Sequence, residues 1–197
     1  MKTALINITP GQTVKYRGTP CTVLEHRPEG TLLLCNERIK KPFGRTNNFA
    51  TSSLRDHLNG AFLDALTQGH PDEIITRTVD LTAVNGSKEY GSCVCKVAPL
   101  TLDEIRKYHG ILPKPESFEW CATPWSTPVV DEDETWVQGL SSNGNVYDNG
   151  CNNTDGSRPA FLIASGYTVE DERNPLEQYS LNALVAEVNR RVSASEE

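Results

Sequence analysis

The stretch FEWCATPWSTPVVDEDETWVQGLSSNGNVYDNGCNNTDGSRPAFLI, residues 118–163, decides the fold of this chain. It contains all three tryptophans, Trp120, Trp125 and Trp136, and it closes on Arg158 and an apolar run. Its middle is rich in Asn, Gly, Asp and Ser, the residues that favour turns. These features predict apolar anchor residues that hold a polar, turn-rich surface, so we expect a binding or structural module rather than an enzyme.

Length and composition bound the kinds of protein that this chain can be. Its 197 residues suit one domain, and a content of 37% hydrophobic and 23% charged residues is typical of a globular protein. The net charge of −7 argues against a nucleic-acid partner, because phosphate binding needs clustered lysine and arginine. The basic residues at 38–41 are typical of a solvated turn.

The chain start and the cysteines indicate where the protein is made. Residues 1–7 are too short and too soon polar for a signal peptide, and no apolar run approaches the roughly 18 residues of a membrane span. The six cysteines come without an export signal, so reduced thiols are expected. We predict synthesis in the cytoplasm without membrane insertion, which also suits a virion component assembled inside a host cell.

The first part of the chain predicts an antiparallel meander followed by a helix. Three β-prone segments, at 13–17, 21–26 and 31–36, are separated by turn residues. The third segment is nearly all apolar, which predicts a strand covered on both faces. Apolar residues then recur at four-residue steps over residues 54–66, which predicts a helix capped by Ser52 or its neighbour.

Short strands and a capped helix are predicted for the middle of the chain. Residues 74–81 and 92–97 are β-prone, and residues 101–104 form a capping box that opens a short helix. Gly110 is expected to end that helix in the left-handed conformation. Farther on, Asn143-Gly144 is the strongest two-residue signal for a β-hairpin.

A last helix is predicted to begin at residues 174–177, where an asparagine cap precedes a proline and a glutamate. Its apolar stripe consists of Leu181, Leu184, Val185, Val188 and Val192. This stripe predicts packing on the domain, with a contact to another chain as the alternative. The elements together predict an α+β fold.

Four motifs along the chain resemble one protein family. They are SSLRDHLNGAFL (52–63), LTLDEIRKY (100–108), EWCATP (119–124) and GSRPAF (156–161). With the Asn/Gly-rich stretch before the last motif, residues 11–165 resemble a domain family of unknown function from bacteria and their prophages. That family is related to the C-type-lectin-like fold of formylglycine-generating enzymes and of the variable proteins made by diversity-generating retroelements.

The resemblance implies a fold and a domain organisation. It implies a C-type-lectin-like domain over residues 1–166, with a twisted antiparallel sheet, two flanking helices and long irregular loops. Residues 167–197 would then be an acidic linker and a helix that packs on the domain or on a partner. Two departures matter: the family's Trp-Trp-Leu-Arg-Ser-Pro is WCATP at 120–124, without the arginine, and its Gly-Val-Arg-Pro is GSRP at 156–159.

The central stretch also supplies the residues expected to contact a ligand. Trp125 lies among threonine and proline residues typical of a surface, and exposed aromatic side chains often dominate binding. The amide-rich loops fit ordinary turn chemistry or an antibody-like surface of Tyr and Asn. The predicted ligand-binding residues are Trp125, Ser126, Thr127, Asn143, Asn145, Tyr147, Asn149, Asn152 and Asn153.

Structural roles are predicted for three other residues of this stretch. Trp120 and Trp136 begin apolar or β-prone segments, where tryptophan usually belongs to the core. Arg158 enters a strand, and we expect it to hold a carboxylate or loop carbonyls.

Metal and thiol chemistry are the remaining alternatives. A calcium site at the acidic residues 131–134 would need oxygens from several loops, so a solvated loop and no cofactor are predicted. Cys93 and Cys95 fall on one face of a strand, and formylglycine-generating enzymes use a cysteine pair. A thiol enzyme would need these cysteines in an open cleft.

The resemblance and the polar surface together predict a non-catalytic binding or display module on the tail or capsid of a phage or prophage virion. Residues 125–157 would recognise a protein or carbohydrate receptor. This prediction does not require these residues to be diversified by a retroelement. The alternatives are a structural virion component that contacts copies of itself or other virion proteins, and a thiol-dependent enzyme related to the formylglycine-generating enzymes.

Overall fold

Thirteen β-strands and four α-helices form the part of the chain that the computed structural model describes, residues 2–171 and 180–194. The strands are β1 (Lys2–Ala4), β2 (Thr13–Tyr16), β3 (Thr19–Arg27), β4 (Gly30–Cys35), β5 (Ile74–Ile75), β6 (Arg77–Asp80), β7 (Ser92–Cys95), β8 (Val97–Ala98), β9 (Glu119–Pro124), β10 (Trp136–Leu140), β11 (Val146–Gly150), β12 (Ala160–Ile163) and β13 (Thr168–Asp171). The α-helices are α1 (Ser53–Asn59), α2 (Ala61–Thr67), α3 (Leu102–Tyr108) and α4 (Leu181–Ala194). The fold is therefore mixed α+β with antiparallel sheets, as the sequence predicts.

The strands form three sheets. The largest has the order β1-β13-β2-β3-β4-β12-β5, and β8 also pairs with β12. A second sheet has the order β11-β10-β9, and β6 pairs with β7 in a third. Because β13 pairs with both β1 and β2, the largest sheet continues past the domain boundary predicted at residue 166.

The N-terminal meander predicted from the sequence is present as β2, β3 and β4. All six residues of β4 are buried, which confirms a strand covered on both faces. Its side chains alternate, so Leu33 and Cys35 face one core cluster while Leu32 and Leu34 face the other. The sheet thus separates two apolar layers.

Different elements cover the two faces of the largest sheet. Helices α1 and α2 pack on the first face through Leu54 and Leu63, in the cluster that also contains Trp120 and Phe161. Helix α3 packs on the second face, in the cluster that contains Leu140. The central stretch therefore contributes to both layers.

The helix predicted over residues 54–66 is divided into α1 and α2. Gly60 lies between them with φ −115° and ψ −108°, which is outside the helical region. Ser52 caps α1 as predicted, because its Oγ accepts a hydrogen bond from the Arg55 amide at 3.1 Å. Helix α2 ends at Thr67 and is capped by Gln68, whose φ of 51° is left-handed.

Helix α3 begins at the predicted capping box. Thr101 Oγ1 accepts from the Glu104 amide at 3.1 Å, and Glu104 Oε2 accepts from the Thr101 amide at 3.0 Å. The predicted left-handed glycine at its end is wrong, because the helix is capped by His109 in a right-handed conformation and Gly110 has no positive φ. The backbone continues to turn instead, and the amides of Ile111 and Leu112 both donate to the carbonyl of Tyr108.

An ionic network fixes α3 on the largest sheet. Arg27 Nη2 donates to Tyr108 Oη at 2.9 Å and to Glu104 Oε1 at 3.2 Å, and Tyr108 Oη donates to Glu25 Oε2 at 2.6 Å. Burial alone would raise the pKa of Glu25, but hydrogen bonds from Lys107, Tyr108 and Arg27 lower it to about 2. The position of α3 is thus set by charged groups on β3.

Helix α4 exposes three residues of its apolar stripe to solvent. Leu181, Val185 and Val188 are all largely exposed. Whether this helix packs on the domain or on a partner stays a prediction, and the cap predicted at residues 174–177 lies outside the described residues. Among the described helices, none has the length and apolar character that crossing a bilayer requires.

Candidate functional site

Strand β9 anchors the central stretch in the core. Its side chains alternate between the two core layers, with Trp120 in the first and Cys121 in the second. The Trp120 ring packs edge-on against Phe118, with ring centroids 5.2 Å apart, and against Phe43, at 6.0 Å. Trp120 is buried, so its predicted structural role is confirmed.

A close approach fixes β10 against β9. A Cβ atom on Gly139 would lie only 2.3 Å from the carbonyl oxygen of Glu119 and 2.3 Å from the Phe118 ring. Only glycine allows this approach, which occurs where the β9–β10 register shifts between Val137 and Gly139. Strand β10 of the hairpin therefore lies in close contact with the core strand β9.

Arg158 forms a buried ion pair with Glu119. Its Nε donates to Glu119 Oε2 at 2.6 Å, and its Nη1 donates to the carbonyl of Pro113 at 2.9 Å. Burial raises the pKa of Glu119, against the opposing effect of the Arg158 charge. The prediction that Arg158 holds a carboxylate and a loop carbonyl is confirmed.

Two tryptophans lie at the surface beside one another. Trp125 exposes 44% of its surface and Trp136 exposes 40%, and the Trp125 amide donates to the Trp136 carbonyl at 3.0 Å. The predicted core role of Trp136 is wrong. Its neighbour Val137 is the residue that enters the core, so the alternation of the strand turns Trp136 outward. We call Trp125 and Trp136 the indole pair.

Asp133 orients the Trp136 ring. Its Oδ2 accepts from the indole Nε1 at 2.8 Å, and its Oδ1 accepts from the Thr135 amide at 2.9 Å. Hydrogen bonds from the Thr135 hydroxyl and amide, and then from Trp136, lower the pKa of Asp133. The acidic run is thus an ordered loop, and the described residues contain no group of three or more His, Cys, Asp or Glu that could hold a metal.

Ser126 and Thr127 are both buried, so the prediction that they contact a ligand is wrong. Ser126 Oγ accepts from Asn85 Nδ2 at 2.9 Å, and Thr127 Oγ1 shares a 2.6 Å hydrogen bond with Ser87 Oγ. Their hydroxyls are therefore satisfied by a neighbouring loop. They hold the Trp125 segment in place and do not face a ligand.

Three of the predicted asparagines are used inside the loops. Asn143 Oδ1 accepts from the Asn145 amide at 2.9 Å, which closes the predicted hairpin turn. Asn149 donates to Asp155 Oδ2 at 2.8 Å and accepts from Asn153 Nδ2 at 2.7 Å. The turn-chemistry alternative therefore describes Asn143, Asn149 and Asn153.

The other polar side chains of the hairpin face solvent. Tyr147 is 50% exposed, and Asn145 Nδ2 approaches its Oη at 3.4 Å. Asn152 is exposed, and its amide has no hydrogen-bond partner among the described residues. Tyr147 lies opposite Gly139 while Trp136 lies opposite Gly150, so the two aromatic residues project from opposite faces of the ribbon. The predicted surface therefore has two parts.

One buried residue that the sequence does not indicate connects the backbone next to Trp125 with the backbone of Trp136. Asn47 is fully buried, and its Nδ2 donates to the carbonyls of Ser126 at 3.0 Å and Trp136 at 3.1 Å. Its Oδ1 accepts from Tyr90 Oη at 2.8 Å. No local motif marks this asparagine, because its partners come from far along the chain.

The cysteine pair on β7 is not placed for nucleophilic chemistry. Cys93 and Cys95 are both buried, while Val94 between them is exposed. Burial, and then the neighbouring Cys93, raise the pKa of Cys95 to about 12. Because a nucleophilic cysteine needs an accessible thiolate, the thiol-enzyme alternative loses its candidate residues.

Comparison of the chain with protein-family models, with curated proteins and with solved structures finds no match. The C-type-lectin-like resemblance thus rests on the sequence motifs and stays a prediction.

Proposed function

We propose that this protein is a non-catalytic recognition module of a phage or prophage virion, with a C-type-lectin-like architecture, that binds a protein or carbohydrate receptor through the indole pair. The observation that carries the proposal is the exposure of two neighbouring tryptophans, Trp125 and Trp136, on a framework that fixes both. Exposed tryptophans on a backbone held in one conformation provide large contact area, and ordering them on binding costs less entropy.

The framework supports recognition because it pre-orders the surface. Asn47 binds the carbonyls of Trp136 and of Ser126, the residue after Trp125. Asp133 orients the Trp136 ring, and the buried hydroxyls of Ser126 and Thr127 hold the segment that follows Trp125. A surface that is already ordered loses less conformational freedom when a partner binds.

The hairpin provides a second, polar part. Tyr147 on the exposed edge strand β11 offers aromatic contact area, and Asn145 and Asn152, just outside the strand, offer exposed amide groups. This combination is typical of adaptable contact surfaces. Because Tyr147 and Trp136 project from opposite faces of the ribbon, we expect this part to make a smaller receptor contact of its own.

The architecture and the setting are supported by the fold and the resemblance. Antiparallel sheets, few helices and the irregular connections at residues 109–118, 125–135 and 151–159 fit the C-type-lectin-like expectation. The virion setting comes from the prophage family that the motifs resemble. A structural virion component is the second candidate, favoured by the exposed apolar stripe of α4, through which it would contact its neighbours.

The proposal predicts that the double variant Trp125→Ala/Trp136→Ala loses binding while staying folded. Fluorescently labelled protein would be applied to a glycan array and to a panel of intact bacterial strains. Loss of both rings is expected to weaken binding by about 30-fold or more, the effect of a hot-spot residue worth at least about 2 kcal/mol. Tyr147→Ala is expected to weaken it less.

The matched control is Val94→Ala, which removes an exposed apolar side chain from the β6–β7 hairpin. It should bind as the wild type does, and the melting temperatures of all variants should agree within a few degrees. Unchanged binding by the double variant would contradict the role of the indole pair. A wild-type protein that binds nothing on either panel would contradict the proposal.

A further inference from the structure

A groove lies between helix α3, the loop that follows it and the β10–β11 hairpin. Its volume is about 680 Å³, within the range of roughly 300–1,000 Å³ that is usual for small-molecule sites. The apolar part of its lining includes Leu112, Leu140 and Val146. Neither Trp125 nor Trp136 lines it, so it is separate from the indole pair.

The charge of the groove is opposite to that of the protein. Arg106, His109 and Lys114 line it, and no aspartate or glutamate is among the described residues that do. The whole chain, by contrast, has 26 acidic residues and 19 lysines and arginines. Arg106 pairs with Asp103 at 2.9 Å, but this pair is exposed, and exposed ion pairs contribute little to stability.

The walls of the groove are already fixed. Leu140 belongs to the second core layer, and α3 is held on the largest sheet by the network of Tyr108 with Glu25 and Arg27. The loop after α3 is fastened at the Pro113 carbonyl, which accepts from the buried Arg158. A ligand would therefore enter a largely pre-formed site, which lowers the entropic cost of binding.

We propose that this groove binds a small amphipathic anion. The apolar body of the ligand, an aromatic or branched aliphatic group, would pack on Leu112, Leu140 and Val146. A single carboxylate, phosphate or sulfonate at its end would lie near Arg106 or Lys114, two cations that line the groove with no aspartate or glutamate among the described lining residues. This site goes beyond receptor recognition by the indole pair and uses different side chains.

Two naphthalene dyes that differ in charge test the proposal. 8-Anilinonaphthalene-1-sulfonate has an apolar body and one sulfonate, and N-phenyl-1-naphthylamine has the same ring framework without the charge. Titrated into the wild-type protein, the sulfonate is expected to bind at one site and more tightly than the neutral dye. Arg106→Glu/Lys114→Glu should lower the affinity for the sulfonate dye by about tenfold or more, equivalent to at least about 1.4 kcal/mol. The affinity for the neutral dye should stay almost unchanged.

Lys88→Glu is the control, because it makes the same kind of charge reversal at an exposed lysine outside the groove. It should bind both dyes as the wild type does. Arg106→Gln/Lys114→Gln removes the charges without adding repulsion and should lower the affinity for the sulfonate dye by about threefold. This variant keeps the test decisive if the charge-reversed protein does not fold. Absence of sulfonate binding to the wild type, equal sulfonate affinity in the wild type and both groove variants, or a parallel loss of the neutral dye would overturn the proposal.

Discussion

Replacing Arg158 with methionine is expected to lower the free energy of unfolding by about 3–5 kcal/mol, which is the cost of breaking a buried ion pair from one side. The substitution leaves the carboxylate of Glu119 buried without its counter-charge, and it removes the donor to the Pro113 carbonyl. Urea denaturation followed by far-ultraviolet circular dichroism measures the change.

A double variant separates the ion pair from the volume of the side chain. Arg158→Met/Glu119→Leu removes both charges, so it should be more stable than Arg158→Met alone, because no unpaired charge remains in the core. Arg45→Met, at an exposed position, is the control and should change stability by no more than about 0.5 kcal/mol. A cost below about 1 kcal/mol for Arg158→Met, or purely additive effects in the double variant, would contradict the structural role of this pair.

The three tryptophans are expected to respond very differently to alanine. Trp120→Ala should lower the free energy of unfolding by about 3–5 kcal/mol, because it empties a buried site between Phe43 and Phe118. Trp125→Ala and Trp136→Ala should each cost less than about 1 kcal/mol, since both rings are partly in solvent. Chemical denaturation of the three single variants under one set of conditions makes the comparison.

Trp120→Phe refines the same comparison. The buried indole N–H of Trp120 has no hydrogen-bond partner among the described residues, so phenylalanine removes an unsatisfied donor while keeping most of the ring volume. It should therefore cost much less than Trp120→Ala. Equal losses for Trp120→Ala and Trp136→Ala would contradict the division into one structural and two surface tryptophans.

Features that depend on neighbouring residues could be predicted from the sequence. The meander follows from turn residues between β-prone segments, the capping box from Thr101 and Glu104, and the β10–β11 hairpin from Asn143-Gly144. The sequence also predicts the burial of Trp120 and the use of Arg158 to hold a carboxylate or loop carbonyls, because a large apolar ring and a cation entering a core strand have few other uses.

Features that depend on distant partners could not be predicted. Asn47 reaches Ser126 and Trp136, which are 79 and 89 residues away, and the burial of Ser126 and Thr127 depends on a loop about forty residues earlier. The outward direction of Trp136 depends on which residue of β10 first enters the core, and composition does not set that register.

The groove could not be predicted from the sequence either. Its lining comes from α3, from the loop after it and from the hairpin, three segments whose basic and apolar residues form no recognisable motif in the sequence. The packing of α3 on the second core layer brings Arg106 into the same groove as Lys114 from the following loop and Val146 from the hairpin. A pattern search along the chain therefore has no signal for this site.

Indole and backbone nuclear magnetic resonance on ¹⁵N-labelled protein gives the most direct test of a rigid framework that presents two tryptophans to solvent. We predict backbone order parameters of about 0.85 at Trp125 and Trp136, equal to those of the largest sheet, with rapid exchange of the Trp125 indole N–H and slower exchange of the Trp136 indole N–H that Asp133 holds. Order parameters below about 0.6 at these two residues, or a Trp125 indole N–H protected from water, would contradict a pre-ordered recognition surface.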